Sequence, residues 1–146
     1  MSNSYVKSYF KIDDRFIPVE TFSGEFPDKN YIDGAIVLTI DGQEIFTFEH
    51  WDLVDQLWCY IADGIGKLRE GEDFETYFPD QPLLLRFELI NKRFVRVTVG
   101  DDTYEVATET FLKTLQRGAK EFFQRMRELL PDWNDTWEKY EKAAGI

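Results

Sequence analysis

The chain is expected to fold as an α+β protein, with an antiparallel sheet of hairpins and a three-stranded meander (about six to seven strands) packed against two long helices and one short C-terminal helix. Three observations predict this class. An Asp41-Gly42 pair separates two β-rich runs, residues 83–107 alternate apolar and polar positions, and residues 51–69 and 109–130 carry apolar side chains at helical spacing. The order of strands, one helix, strands and then helices does not suit a parallel sheet, which needs strand and helix to alternate. All 146 residues are read as a single domain, long enough to bury roughly two thirds of its unfolded surface without a disulfide or metal.

In chain order, residues 5–12 and 15–22 form the first two expected strands, separated by Asp13-Asp14 and closed by a loop containing Gly24 and Pro27. The hairpin at 30–49 turns on Asp41-Gly42, because a type I′ turn needs positive φ at both positions and this pair tolerates it. A two-residue turn there pairs Leu38 with Ile45 and Val37 with Phe46, leaving both faces apolar near the middle. The first helix, 51–69, aligns Val54, Leu57, Trp58, Ile61, Ile65 and Leu68, and stops at Gly71. Asp52 and Asp55 in its first turn complement the positive end of the helix dipole.

The segment Glu70 to Asp80 reads as an acidic, aromatic surface connection to the meander. In the meander, a three-residue loop at Asn91-Lys92-Arg93 matches faces best, setting Leu89 against Val95, Phe87 against Val97 and Leu85 against Val99. A second turn at Asp101-Asp102 pairs Val99 with Tyr104 and Val97 with Val106. On the other face, Glu88 is expected opposite Arg96, and Arg86, Arg93 and Arg96 form a basic island that Glu88 and Glu105 neutralise. The second helix, 109–130, repeats the apolar stripe until Pro131 blocks it. Asp132 is then placed as the N-cap of a short last helix lined by Trp133, Trp137 and Tyr140.

Charge narrows the partner classes. The chain carries 28 acidic and 17 basic residues, a net charge of −11, with the excess spread along its length instead of gathered in a tail. Such a surface repels phosphate backbones and anionic membranes and speeds encounter with basic proteins, so direct nucleic-acid binding is not expected. Thirteen Phe, seven Tyr and four Trp provide core and interface material that a disordered acidic segment lacks. The single Cys59 has no partner in the chain and falls inside an apolar helical pattern, so a reducing cytoplasm is the expected setting. The N-terminal residues carry no apolar run that reads as a secretory signal, and no apolar stretch approaches the ~20 residues that cross a bilayer.

Chemical motifs are sparse, and no cofactor or metal is implied. His50, Trp51, Asp55 and Tyr60 near the start of the first helix are the candidate ligand pocket, yet no activated Ser or Cys nucleophile accompanies the single His. Asp13-Asp14 and Asp101-Asp102 fit turns and match no calcium loop, and Gly64 and Gly66 follow a helix where a nucleotide-binding loop must follow a strand. The stronger candidate is the acidic aromatic segment, with Glu72, Asp73, Phe74, Glu75, Tyr77 and Asp80 as partner-binding residues.

The expectation is therefore a noncatalytic, acidic protein-binding domain directed at a basic protein. In size and charge, though by no shared motif, the chain resembles the small acidic cytosolic proteins with which bacteria neutralise basic toxins, toxin-immunity proteins among them. That resemblance implies an inhibitor-like role. The alternatives are a small-molecule-binding domain or enzyme using the His50 pocket, and a homodimeric accessory subunit joined through the C-terminal helix should its aromatic stripe protrude.

Overall fold

The computed structural model describes residues 3–146, and its α+β architecture has two antiparallel sheets and three α-helices. The first sheet runs β2(Arg15–Pro18), β1(Tyr5–Ile12), β3(Asp33–Ile40), β4(Gln43–Phe46), with the two-residue β5(Asp52–Leu53) also paired to β3. The second runs β6(Phe74–Tyr77), β7(Leu84–Leu89), β8(Phe94–Val99), β9(Asp102–Ala107). Helices α1(Val54–Arg69), α2(Thr108–Leu129) and α3(Asn134–Ala143) complete it. No helix among the described residues is long and apolar enough to cross a membrane.

One continuous core joins the inner faces of both sheets to the helices. Trp58 of α1 is fully buried, stacks on Phe122 of α2 at 6.1 Å and donates its indole N–H to Ser8 Oγ at 2.9 Å. A buried indole needs such an acceptor, and Ser8 is the polar residue that β1 places on its inner face. Phe87 of β7 meets Phe111 of α2 at 5.1 Å and Phe74 of β6 at 5.3 Å, tying the second sheet to the same core.

The meander keeps the expected β7–β8 register, with Leu89, Phe87 and Leu85 opposite Val95, Val97 and Val99. Its loop is held by Asn91 Oδ1, which accepts from the amides of Arg93 at 2.7 Å and Phe94 at 3.0 Å. The β8–β9 turn falls one residue earlier than the sequence suggests, so Val99 faces Asp102 and Val97 faces Tyr104. Gly100, at φ +63°, takes the first turn position. A register shift of two residues leaves every side chain on its expected face, which is why alternation alone could not locate it.

The Asp41-Gly42 turn forms as expected, with φ of 50° and 81°, but the pairing beyond it is interrupted by a bulge. Leu38 lies opposite Phe46 instead of Ile45, so Val37 is not Phe46's partner either. The extra residue lets the consecutive side chains Ile45 and Phe46 both be buried, which strict alternation would forbid. At the N-terminus, Asp13 and Asp14 both adopt positive φ in the β1–β2 turn, and β2 ends at Pro18 instead of running to 22.

Three further boundaries move. The first helix starts at Val54, because Asp52 and Leu53 pair with β3 as β5. The Glu70 to Asp80 connection contains a strand, β6, antiparallel to β7. Asp132 does not cap α3: Pro131–Trp133 form a 3-10 turn and Trp133 occupies the cap position. The aromatic stripe of α3 is consumed inside the chain. Trp137 is 1 % exposed, stacks on Phe123 at 6.1 Å and donates to the Leu130 carbonyl at 3.2 Å, while Glu141 is buried against Arg127 of α2.

Candidate functional site

The residues singled out for partner binding lie on and around β6, the end strand of the second sheet. Its pairing with β7 sets Phe74 opposite Phe87, Glu75 opposite Arg86, Thr76 opposite Leu85 and Tyr77 opposite Leu84. Alternation then separates their roles. Phe74 and Thr76 face inward and are half-buried, whereas Glu75 and Tyr77 face out, Tyr77 being 58 % exposed. Phe78 is buried against Phe46, so two of the segment's three rings serve the core and Tyr77 alone is presented.

The acids of the segment are partly engaged. Glu75 accepts from Arg86 Nε at 2.7 Å, an interaction that raises the guanidinium's pKa, and Glu72 lies 3.6 Å from Lys67. Asp73 Oδ1 accepts from the Leu89 amide at 2.9 Å, closing the end of β7. Between β6 and α1 runs an open groove of about 590 Å³ whose walls carry Asp63, Glu70, Asp73 and Glu75 against one base, Lys67. Partial burial raises the Asp63 carboxyl, opposed by Lys139 and Lys67. Asp80 stands beyond the strand, its amide held by Asp52 Oδ1 at 3.0 Å.

Two arginines of the basic island proposed on the outer face of the second sheet, Arg86 and Arg96, are paired with carboxylates. Arg96 lies 3.6 Å from Glu88 and 3.1 Å from Glu105, and Arg86 is taken by Glu75. Glu75 was not part of the expected neutralising set, because its place in a strand was not read.

The four residues of the alternative pocket have different local surroundings. His50 ends a 3-10 turn (Phe48–His50) and its Nδ1 accepts from the Thr47 amide at 2.9 Å, a capping role. Burial lowers its pKa, favouring the neutral ring between Phe46 and Phe78. Trp51 is exposed, with the Lys11 ammonium 4.5 Å from its ring centre. It lines a small cavity of about 190 Å³ with Asp33, Asp52, Asp80 and Gln81, none of them in the expected set for that pocket. Burial raises the Asp33 carboxyl, Lys11 opposes the rise, and Asp52 and Asp80 add to it. Asp52 is committed to structure, accepting from Leu53, Asp80 and Gln81.

Asp55 and Tyr60 sit further along α1. Burial pushes the Asp55 carboxyl up to about 6, backbone amides of the first turn offset this in part, and its Oδ1 is buried without a hydrogen-bond partner. One turn later, burial and the Asp55 and Asp63 carboxylates push the Cys59 thiol up to about 12, which makes it a poor nucleophile. Among the described residues no group of three or more His, Cys, Asp or Glu side chains is placed to hold a metal ion.

Asp55 has a testable consequence for stability. Its folded pKa lies above the ~3.9 of an unfolded Asp, so the stabilisation associated with its protonated form is full below about pH 4 and is lost as pH rises through about 6. Asp55→Asn removes that pH-dependent penalty while giving up a favourable helix-dipole charge. Urea unfolding is expected to show the variant about 1–2 kcal/mol more stable than the parent near pH 8, with the advantage gone near pH 4. An equal effect at both pH values would show that Asp55 is not desolvated.

One surface was missed by the sequence reading. The outer face of the first sheet presents Tyr5, Lys7, Tyr9 and Lys11 from β1, with Phe16 from β2. Phe48 packs over Phe16 at 4.6 Å and Tyr9 at 4.9 Å, leaving Tyr5, Phe48 and Trp51 exposed. The signal was present in the alternation Tyr5, Lys7, Tyr9, Lys11, which places one aromatic-basic set on a single strand face. Comparison of the chain with protein-family models, curated proteins and solved structures finds no match.

Proposed function

We propose that the chain is a noncatalytic acidic binding domain, of inhibitor or immunity type, whose partner is a basic protein. The observation that carries this reading is the groove beside β6, where Asp63, Glu70 and Asp73 line the walls with Lys67, Glu75 at the rim is paired with Arg86, and Tyr77 stands exposed at the adjoining strand end. Carboxylates on such a rim accelerate encounter with a basic surface, and an exposed aromatic supplies the contact area that slows dissociation. The engagement of His50 in capping and the raised pKa that keeps Cys59 a thiol support a noncatalytic role. A reducing cytoplasm suits the one buried, unpaired cysteine.

The test is the association rate of the chain with a basic protein co-purified from its host, measured at low and moderate salt. The parent is expected to form a complex of fixed stoichiometry whose association slows about tenfold or more as salt rises. A Glu70→Gln, Glu72→Gln, Asp73→Asn variant is expected to associate more slowly while unfolding at nearly the same denaturant concentration, since Asn retains an acceptor for the Leu89 amide. A complex insensitive both to salt and to these substitutions would remove the acidic groove from the function.

A further inference from the structure

The open side of β6 has a geometry that the reading above does not use. The Phe78 amide donates to the Leu83 carbonyl at 2.9 Å, and the Leu89 amide meets Asp73 on the same side, so the odd and even backbone groups of β6 can be assigned. Phe74, Thr76 and Phe78 direct their N–H and C=O groups toward β7, and Glu75 and Tyr77 direct theirs away from it. No strand among the described residues lies on that outer side. The Thr76 hydroxyl donates to the Tyr77 carbonyl at 3.3 Å, leaving the Glu75 amide and carbonyl and the Tyr77 amide as the outward row.

An added strand would lie about 4.8 Å from β6 and direct alternate side chains to its two faces. On the inner face those side chains meet the groove, with Asp63 and Glu70 on the α1 wall, Asp73 at its end and Phe74 on its floor. The occupant that complements these walls bears Lys or Arg at every second position; an acidic or apolar strand would leave the carboxylates facing like charge or unsolvated. The other end strand of this sheet, β9, offers a less open edge, because Gln43 Nε2 of β4 donates to the Glu105 carbonyl at 3.3 Å.

We infer that β6 is a docking edge for an extended basic segment of a protein partner, which joins the second sheet as a fifth strand and inserts alternate Lys or Arg side chains into the groove between β6 and α1. The inference rests on the basic-partner reading and specifies how the partner is held. Backbone pairing at Glu75 and Tyr77 fixes direction and register, and the groove carboxylates select the side chains. The shortness of the strand and the charged Glu75–Arg86 pair beside its edge deter edge-to-edge association of copies of the chain.

The experiment titrates the isotopically labelled full chain with a short synthetic peptide alternating Lys and Thr, at low salt, with backbone amide NMR as readout. A second titration uses the same peptide N-methylated on the residues that would face β6, which keeps every side chain and deletes the strand hydrogen bonds. The Glu75 and Tyr77 amides are expected to shift and to gain protection from exchange, and the N-methylated peptide to bind about tenfold more weakly, the equivalent of roughly two ordinary net hydrogen bonds. Tyr77→Pro, which deletes an amide that β7 does not use, is expected to weaken the unmodified peptide to a similar degree. Equal binding of the two peptides, or shifts that leave Glu75 and Tyr77 unchanged, would overturn strand addition while leaving an acidic basic-partner surface in place. No binding of either peptide would also overturn strand addition, and the co-purification result would then decide the basic-partner reading separately.

Discussion

Gly34→Ala is expected to be among the most destabilising single-methyl additions the fold can receive, on the order of 3–5 kcal/mol. Gly34 lies in β3 between Phe10 of β1 and Asp52 of β5, at the crossing of two strand pairings. A Cβ built there would overlap the Tyr9 carbonyl oxygen and lie 2.7 Å from Val54 Cγ1. Neither neighbour can yield cheaply. The carbonyl belongs to the paired backbone of β1, and Val54 is fully buried where α1 begins. Accommodation therefore requires β1 and β3 to separate locally or α1 to move, each at the cost of core contacts. Urea unfolding followed by tryptophan fluorescence is the measurement, and a loss below about 1 kcal/mol would show that β1 and α1 can give way to the added methyl cheaply. Gly24→Ala is an unsuitable control because Gly24 has φ +111°, so Ala35→Gly, which changes the same strand without adding volume, is the better comparison.

Asp52→Ala is expected to cost about 2–4 kcal/mol, through donors left without an acceptor. Asp52 is 2 % exposed, and its carboxylate accepts from the Leu53 amide at 2.6 Å, the Asp80 amide at 3.0 Å and Gln81 Nε2 at 2.8 Å. It pins the turn between β6 and β7 to the start of α1, thereby joining the second sheet to the first through β5. Asp52→Asn keeps one acceptor oxygen of the same reach, and is expected to recover more than half of the loss. Hydrogen exchange adds a local readout: the Asp80 amide should lose protection in the Ala variant before the β7–β8 ladder does. Uniform loss across both sheets would mean that Asp52 supports global stability without specifically anchoring the turn.

How far the site was legible follows from these same residues. The acids and rings of 70–80 were recognisable as surface material, but their division into inward Phe74 and outward Tyr77 depended on a strand that the sequence did not announce. Four residues beginning and ending in aromatics, with Glu and Thr between, have a pattern that loop and edge strand share. Asp52 was equally opaque. Its position just ahead of a helical stripe fits a first-turn acid, and nothing local shows that Asp80 and Gln81 will reach it from 28 and 29 residues away. The outer face of the first sheet was legible in principle, since Tyr5, Lys7, Tyr9 and Lys11 share one parity, but parity alone does not say which side of a sheet a helix will cover.

By itself the sequence determined what depends on neighbours along the chain: the α+β class, the Asp41-Gly42 turn, the β7–β8 register, and the apolar stripes of α1 and α2. Turn chemistry, alternation and helical period are properties of a few consecutive residues, so they survive without knowledge of the fold. Tertiary structure alone decided what depends on which segments meet. It divided the strands into two sheets, made an edge strand of an expected loop, placed a bulge where Ile45 and Phe46 both had to be buried, and buried the α3 stripe against α2. Each is a choice among locally similar conformations settled by burial of distant apolar surface and by the pairing of buried polar groups.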